Sequence, residues 1–437
     1  MKKFLAIALM LALVVVSCDK PKPEPETKDS ISLNTTSWSA PYEGEAFTLT
    51  VTASGDFQVT PDVAWLTVSG ATVTVAENTT YEPRTGKVTF KCGEASATVT
   101  VTQEAAPKPK EYTELAGPAN SFMVTKGGDY KIKATVIGNG DAGLHSSFPI
   151  SSTTINPADA ALLWEEEDDL VTDVILKDGF ICFTCANRDG NAVVAATAAD
   201  GTILWSWHIW CTEGVSEVAI EGTEWVFMDR NLGAIGKDPE DGEAAFGMYY
   251  QWGRKDPFSR TIGFEGNQYS YPCTDPGAGE DNTIAYSIAH PNEYISQAVD
   301  ADFGDWLDTE SNNWLWGSNA QDADVWNNHV TSFKALFDPC PKGYRVASMW
   351  AFNVAYGTYA NVDGGFTINN GTVFIPNSSF IYCAGHGWWD PYATVWTDQS
   401  AAWGDVAKDA FRVVPGDAHM NYQRAFGQPV RCMKHAE

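Results

Sequence analysis

Basic residues are scarce in this chain of 437 residues, which has 28 Lys and Arg against 56 Asp and Glu and a formal net charge of −28. Nucleic acid and anionic lipid headgroups repel so acidic a surface, because both carry dense negative charge of their own. We therefore expect no nucleic-acid partner. The charge balance suits a solvated, exported protein.

Long apolar runs are also missing. The longest, Phe4–Val16, has 13 residues, fewer than the roughly 20 that a membrane-spanning helix needs. It follows two lysines, so residues 1–18 are expected to be an export signal. The end of that signal, Val-Val-Ser-Cys, resembles the lipobox of bacterial lipoproteins. The resemblance implies that Cys18 carries lipid and anchors the chain to the bacterial outer membrane at the cell surface. The alternative is an ordinary signal peptide with an incidental cysteine.

Catalytic motifs are absent as well. The sequence contains no Gly-x-Ser-x-Gly, His-Glu-x-x-His or P-loop pattern, and no two of its seven histidines have the spacing of a metal motif. Cys182 and Cys185 have redox-type spacing, but residues three apart in a strand point to opposite faces, which argues against a joint site. We expect a non-catalytic protein with no metal site and no cofactor.

Two proline-rich polar stretches, residues 19–30 and 105–111, are typical of a tether and a linker. They leave three predicted domains, which cover residues 31–104, 112–215 and 217–437.

The first of these domains has short Thr- and Val-rich runs with a period of two, separated by turn residues, which predict a small β-sandwich. Its segments VAWLTVSG, VTVAENTTYEPRTGKVTF and ATVTVTQ resemble the BACON family of Bacteroidetes-associated carbohydrate-binding domains. The residues that carry the family pattern are Trp65, Asn78, Arg84, Gly86 and Gln103. The resemblance implies a sandwich that either binds carbohydrate or acts as a spacer, and Trp65 is expected in its core.

The same alternation continues through residues 112–215 and predicts a second all-β domain, with two strands around the turn at Gly127–Gly128. Its last strand is expected in GTILWSWHIWC, residues 201–211. There Trp205 and Trp207 share an apolar face, and His208 lies on the other, more polar and only partly covered face. We expect both indoles to be buried in a core strand. A ligand platform and a catalytic site around His208 are the alternatives.

The last segment is rich in Trp, Gly, Asn and Asp. Its pieces EWVFMDRNLGA, GMYYQWGRKDPF, FDPCPKGYRVAS, VWTDQSAAWG and FGQPVRCMK resemble the Fibrobacter succinogenes major paralogous domain, which implies an α+β C-type-lectin-like fold. The fold class is then two all-β sandwich domains followed by an α+β domain. Ser348 is expected to begin a helix as its N-cap, although the Pro and the acidic residue usual in the family are missing after GYRV.

Two disulfides are expected in this segment. Pairing Cys340 with Cys432 would close a loop of about 90 residues, which the chain-entropy model values at about 4 kcal/mol, and a loop-rich domain benefits most from such a closure. Cys273 and Cys383 are the second expected pair.

Loops of the last segment place Trp beside Asn, Asp and Gly. This is the composition of a sugar site, where an indole stacks on the apolar sugar face and polar groups bind hydroxyls. The candidate glycan-binding residues are Trp388, Trp389, Asp390, Trp314, Trp316 and Asn327. The alternative is that these indoles pack beneath the loops. Motifs of calcium-dependent lectins are lacking, so no calcium site is expected.

Together these patterns predict a cell-surface lipoprotein that acts as an adhesin or glycan-binding protein, with a glycan or another host or cell-surface ligand as its partner. The alternative is a structural or tip subunit of a surface fibre, which would assemble with other fibre subunits. An enzyme of the formylglycine-generating or glycoside-processing kind is the least favoured hypothesis.

The lipid anchor gives a first prediction. Cys18→Ala removes the only expected attachment to the membrane, so the variant should move from the membrane fraction to the soluble fraction. Fractionation and immunoblotting measure this, with Cys92→Ala as the control. Membrane retention of Cys18→Ala would contradict the lipoprotein hypothesis.

Overall fold

A computed structural model describes residues 28–259, 264–265, 268–269, 282–295, 304–307, 313–317, 333–382, 386–387, 392–401 and 409–435. The chain divides into two compact units, Met1–Lys110 and Glu111–Glu437. Residues 112–215 and 217–437, predicted as separate domains, lie together in the second unit because they share one core. Across the described ranges, no helix is long and apolar enough to cross a membrane.

The first unit is all β, as predicted. Its sheets have the strand orders β1-β4, β2-β9-β8-β5 and β3-β7-β6, and only β2 and β9 pair in parallel within its described part. The strands are β1 (Ile31–Leu33), β2 (Ser37–Ala40), β3 (Glu45–Thr48), β4 (Val51–Ala53), β5 (Gln58–Pro61), β6 (Leu66–Ser69), β7 (Thr72–Val75), β8 (Arg84–Cys92) and β9 (Ala95–Gln103).

Period-two burial explains why these sequences form strands. Along β8, Val88 and Phe90 are buried while Lys87 and Lys91 are exposed. The buried side chains of the two larger sheets meet in one core, to which β7 contributes Val73. One face of each sheet therefore drives the packing.

The second unit begins with a sandwich of two four-stranded sheets, ordered β10-β12-β15-β14 and β11-β17-β16-β13. Strands β11 and β12 flank the predicted Gly127–Gly128 turn, but they belong to different sheets, so this turn carries the chain across the sandwich. The strands are β10 (Thr113–Glu114), β11 (Ser121–Val124), β12 (Gly128–Lys133), β13 (Asp159–Glu165), β14 (Val171–Lys177), β15 (Phe180–Cys185), β16 (Gly190–Thr197) and β17 (Ile203–Cys211). A 3₁₀ helix covers Asp141–Gly143.

Strand β17 is the predicted aromatic strand, and it lies inside its sheet between β11 and β16. Trp205 and Trp207 are buried, which confirms the core interpretation. The polar face differs from the expectation. Ser206 and His208 are as buried as the indoles, because residues 250–256 of the same unit cover them.

The rest of the second unit is also mostly β. Its sheets are ordered β18-β19-β33-β23, β20-β32-β27-β28, β24-β25-β26, β29-β30-β31 and β21-β22. The strands are β18 (Glu217–Ala219), β19 (Val226–Asn231), β20 (Tyr249–Gln251), β21 (Phe264–Glu265), β22 (Gln268–Tyr269), β23 (Tyr344–Val346), β24 (Ala360–Val362), β25 (Gly365–Ile368), β26 (Val373–Pro376), β27 (Ile381–Tyr382), β28 (His386–Gly387), β29 (Val395–Ala401), β30 (Asp409–Val414), β31 (Asp417–Gln423), β32 (Gly427–Pro429) and β33 (Arg431–Lys434).

Helices are few in the described part of this segment: α1 (Ile284–Ala289), α2 (Met349–Tyr356) and a 3₁₀ helix over Pro239–Ala245. Helix α2 begins where predicted, because the Ser348 hydroxyl accepts a hydrogen bond of 3.2 Å from the Ala351 amide. The C-type-lectin-like fold stays a prediction. Disulfide Cys340–Cys432 is present and ties the chain before β23 to β33. The pair Cys273 and Cys383 lies outside the described residues.

A segment without regular structure, residues 335–341, docks on the sandwich. The Asn120 amide nitrogen donates to the carbonyls of Leu336 and Asp338, both at 2.8 Å, and the Asn139 amide nitrogen donates to Ala335 and Asp338. The backbones are close: a Cβ at Gly138, where φ is 53°, would lie 2.3 Å from the Leu336 carbonyl oxygen.

We predict that Asn120→Ala destabilises the second unit as a whole. Besides its two donated bonds, Asn120 accepts a bond of 3.0 Å from the Trp205 indole. The variant therefore leaves two buried groups unpaired, the Leu336 carbonyl and the Trp205 indole nitrogen, while the Asp338 carbonyl keeps its bond from Asn139. The expected loss is about 3 kcal/mol in the free energy of unfolding, measured by urea denaturation followed by tryptophan fluorescence. Asn187→Ala, an exposed asparagine that accepts one backbone bond, is the control. Equal stability of the two variants would refute this role of Asn120.

Candidate functional site

The residues of the family-like pattern in the first unit hold its loops together. The Arg84 guanidinium lies 4.5 Å from the Trp65 ring centroid. Its Nε donates to Gln103 Oε1 and its Nη2 to the carbonyls of Ala76 and Glu77, all at 2.8 Å. These contacts leave the Arg84 side chain engaged within the fold.

The other pattern residues have structural roles too. The Asn78 amide nitrogen donates to the carbonyls of Glu82 and Glu104, at 3.0 and 2.8 Å. A Cβ at Gly86 would lie 2.5 Å from a methyl group of Val63 and 3.0 Å from the Trp65 ring, so a larger residue would displace these core side chains. Trp65 is half-buried against the core of the unit, as expected. The pattern of this unit is therefore explained by folding.

The candidate glycan-binding residues of the second unit lie in different surroundings. Trp388, Trp389, Asp390 and Asn327 lie outside the described residues. Trp316 is fully buried, and its indole nitrogen donates to the Arg254 carbonyl at 3.2 Å. The prediction that Trp316 contacts a sugar is wrong, because the ring packs against Trp252 in the core with 5.5 Å between the ring centroids.

Trp314, two residues earlier, is half-buried and lies at the edge of the core. Its ring stacks on His145 with 4.4 Å between centroids and 23° between planes, and Phe333 lies 6.1 Å away. Burial lowers the pKa of His145, which favours the neutral imidazole as a stacking partner. We call Trp314, His145 and Phe333 the aromatic shelf.

A cleft of about 500 Å³ adjoins the shelf through Phe333. Its lining comes from the sandwich, including its 3₁₀ helix, from residues on either side of the docked segment, and from His435. The lining residues are Pro118, Asn139, Gly140, Asp141, Ala142, Phe333, Lys334, Lys342, Gly343 and His435. We call it the Asn139 cleft. Neither His145 nor Asn139 stands out in the sequence, because each meets its neighbours only through long-range packing.

Asn139 gives this cleft an acceptor. The side chain is only 7% exposed, and both of its donated bonds go to the docked segment. Its Oδ1 is buried and has no hydrogen-bond partner among the described residues. A buried amide oxygen without a donor is costly. Because this atom has almost no accessible surface, a ligand hydroxyl pairs with it only if the cleft lining moves.

The charged groups of the cleft have opposite signs. Lys334 Nζ donates to Asp338 Oδ1 at 3.1 Å and to the Cys340 carbonyl at 2.7 Å. Burial lowers the pKa of Lys334, and the Asp338 carboxylate opposes that shift. Lys342 is exposed at the rim, and so is Asp141, which accepts a hydrogen bond from the Thr153 hydroxyl. The cleft is thus lined by charged groups of both signs.

His208 and Ser121 resemble a catalytic pair by distance, with 3.2 Å between Nδ1 and Oγ, but each is 1% exposed. Asn191 donates its amide hydrogens to Glu166 and Gly233, so its oxygen must accept from His208 Nε2 at 2.8 Å. The Ser121 hydroxyl donates to the Pro339 carbonyl at 2.6 Å. The pair is therefore a structural joint between the sandwich and the docked segment.

Metal binding has no support in the described ranges, where no three His, Cys, Asp or Glu side chains are grouped closely enough to hold an ion.

Comparison with known families assigns part of the first unit. Residues 55–104 match the BACON family, described as "Putative binding domain, N-terminal". The chain contains a BACON domain. None of the curated proteins compared with the chain matches it.

Three of the solved structures similar to the chain come from Bacteroides species. A Bacteroides ovatus GH5 xyloglucanase in complex with a XXXG heptasaccharide has 20% identity and a TM-score of 0.17, and the match covers 21% of this chain and 22% of that one. A Bacteroides thetaiotaomicron protein has 15% identity, a TM-score of 0.17 and coverage of 21% and 100%. A Bacteroides vulgatus protein has 22% identity, a TM-score of 0.15 and coverage of 18% and 95%. TM-scores this low carry no weight for function.

The buried imidazole predicts a pH dependence of stability. Burial lowers the pKa of His208 from 6.5 to about 3. Below pH 6.5 the unfolded chain therefore binds a proton at this imidazole, whereas the folded chain binds it only near pH 3. The contribution of the neutral His208 to the free energy of unfolding is present above pH 6.5 and is lost as the pH falls toward 3. Between pH 7 and pH 5 the loss should be about 2 kcal/mol.

His208→Gln removes this titration. Urea denaturation at both pH values should therefore show a smaller acid loss for His208→Gln than for the wild type. The exposed His290→Gln is the control and should lose as much as the wild type. Equal acid losses in all three proteins would contradict a buried neutral His208.

Proposed function

We propose that the protein is a lipid-anchored, non-catalytic glycan-binding protein or adhesin on the surface of a Bacteroidetes-type bacterium. The observation that carries the proposal is the aromatic shelf beside the Asn139 cleft. The half-buried Trp314 indole stacks on His145, and the adjoining cleft has polar and charged lining residues. A sugar has the matching chemistry, an apolar ring face surrounded by hydroxyls.

The groups of the site have separate roles in sugar binding under this proposal. The Trp314 ring is held flat by His145, so stacking costs little side-chain freedom. Asn139 Oδ1 accepts a bond from a hydroxyl, and the rim groups Lys342 and Asp141 select the orientation of the sugar.

The BACON domain is assigned the role of a spacer. The family description allows binding, but the side chains of Arg84, Asn78 and Gln103 are engaged in hydrogen bonds within the domain. We therefore propose that binding takes place in the second unit and that the BACON domain, which lies between Cys18 and that unit along the chain, acts as a spacer. The tether of residues 19–30 adds reach.

The test is binding of the full-length chain to an array of immobilised neutral and uronic-acid-bearing oligosaccharides, followed by titration of the best one. Trp314→Ala should weaken binding about five-fold, because one stacked indole contributes about 1 kcal/mol. Its melting temperature should fall much less than that of Trp316→Ala, because the Trp314 ring is only half-buried.

Two variants control this result. Tyr81→Ala removes an exposed aromatic ring of the first unit and should leave affinity unchanged. Trp316→Ala cuts a fully buried indole and should destabilise the unit by about 3–5 kcal/mol. Absence of binding to every glycan, or wild-type affinity of Trp314→Ala, would overturn the proposal.

A further inference from the structure

Two cysteines of the sandwich face each other across its interior. Cys185 ends β15 in one sheet, Cys211 ends β17 in the other, and their sulfur atoms are 3.8 Å apart. Both side chains are buried. A disulfide bond has an S–S distance of about 2.05 Å, so the sulfurs need to approach by less than about 2 Å.

The backbone holds the two sheets together at this point. Gly128 is the register partner of Cys185, and Val124 is that of Cys211. Only three residues separate Val124 from Gly128, so this short connection fixes the spacing of the sheets beside the sulfur pair. A bond between the cysteines would therefore fit the fold as it stands.

We propose that Cys185 and Cys211 form a second disulfide of this unit, which covalently links the two sheets of the sandwich. The proposal rests on the export that the proposed function includes, because disulfides persist in oxidising compartments. The oxidant is the disulfide of a thiol–disulfide oxidoreductase or of oxidised glutathione. One cysteine thiolate attacks that disulfide, breaks its S–S bond, releases one carrier thiolate and forms a mixed disulfide with the other carrier sulfur. The second thiolate then displaces the reduced carrier thiol, and two electrons and two protons leave with the carrier.

The bond forms during folding, before the pair is buried. In the folded chain the neighbouring Cys211 thiol and burial raise the pKa of Cys185, which suppresses the thiolate. The same environment argues against a catalytic redox role and favours a permanent structural link. Cys182 lies on the opposite face of β15 and supplies a matched control.

Mass spectrometry of the full-length chain tests the pairing. The chain is reduced, denatured and refolded with oxidised and reduced glutathione, and it is also purified directly from the cell envelope. Free thiols are alkylated without reductant, and trypsin then releases peptides 178–188 and 189–230. We expect these peptides to be linked until reductant is added. The link should persist in Cys182→Ser and vanish in Cys185→Ser.

Stability gives a second readout. Cys185→Ser should lower the melting temperature by about 5 °C relative to Cys182→Ser, because the bond closes a loop of 26 residues. Alkylation of both Cys185 and Cys211 in refolded protein whose Cys340–Cys432 bond has formed would overturn the proposal. If the envelope sample has neither disulfide while the refolded sample has both, the hypothesis of export to an oxidising compartment is contradicted, and the proposed pairing of Cys185 with Cys211 is supported.

Discussion

Burial of the carbonyl groups of residues 335–339 constrains the whole second unit. The segment has no ladder of its own, and buried carbonyls without donors are costly. Asn120, Ser121 and Asn139 of the sandwich supply those donors. Residues 250–256 cover the polar face of the aromatic strand β17. The aromatic shelf and the Asn139 cleft arise where the docked segment meets the sandwich.

Local signals in the sequence were enough for much of the fold. Period-two alternation located the strands, the Ser348 hydroxyl marked the start of α2, and Cys340–Cys432 followed from loop closure. The docking was beyond such signals. Asn120 donates to a carbonyl 216 residues away, and no local sequence pattern around an asparagine before a strand predicts so distant a partner. For the same reason the polar side of β17 was expected to be partly solvated.

The candidate site shows the same limit. Trp314 and Trp316 occupy equivalent sequence surroundings. Trp314 is nevertheless half-buried against His145, whereas the Trp316 indole donates to a backbone carbonyl in the core. Composition identified the indoles as candidates, and only packing separates them. In the BACON domain the pattern residues were found from sequence, while their hydrogen bonds show that folding alone accounts for them.

Native-state hydrogen exchange tests the account most directly, because its central claim is that the sandwich and the terminal segment form one cooperative unit. The amides of β16 and β17 should exchange with the same opening free energy, and the same dependence on denaturant, as those of β19 and β33. Protection of β16 and β17 that survives after β19 and β33 have opened would contradict the claim, since it would show that the sandwich is stable without the docked segment.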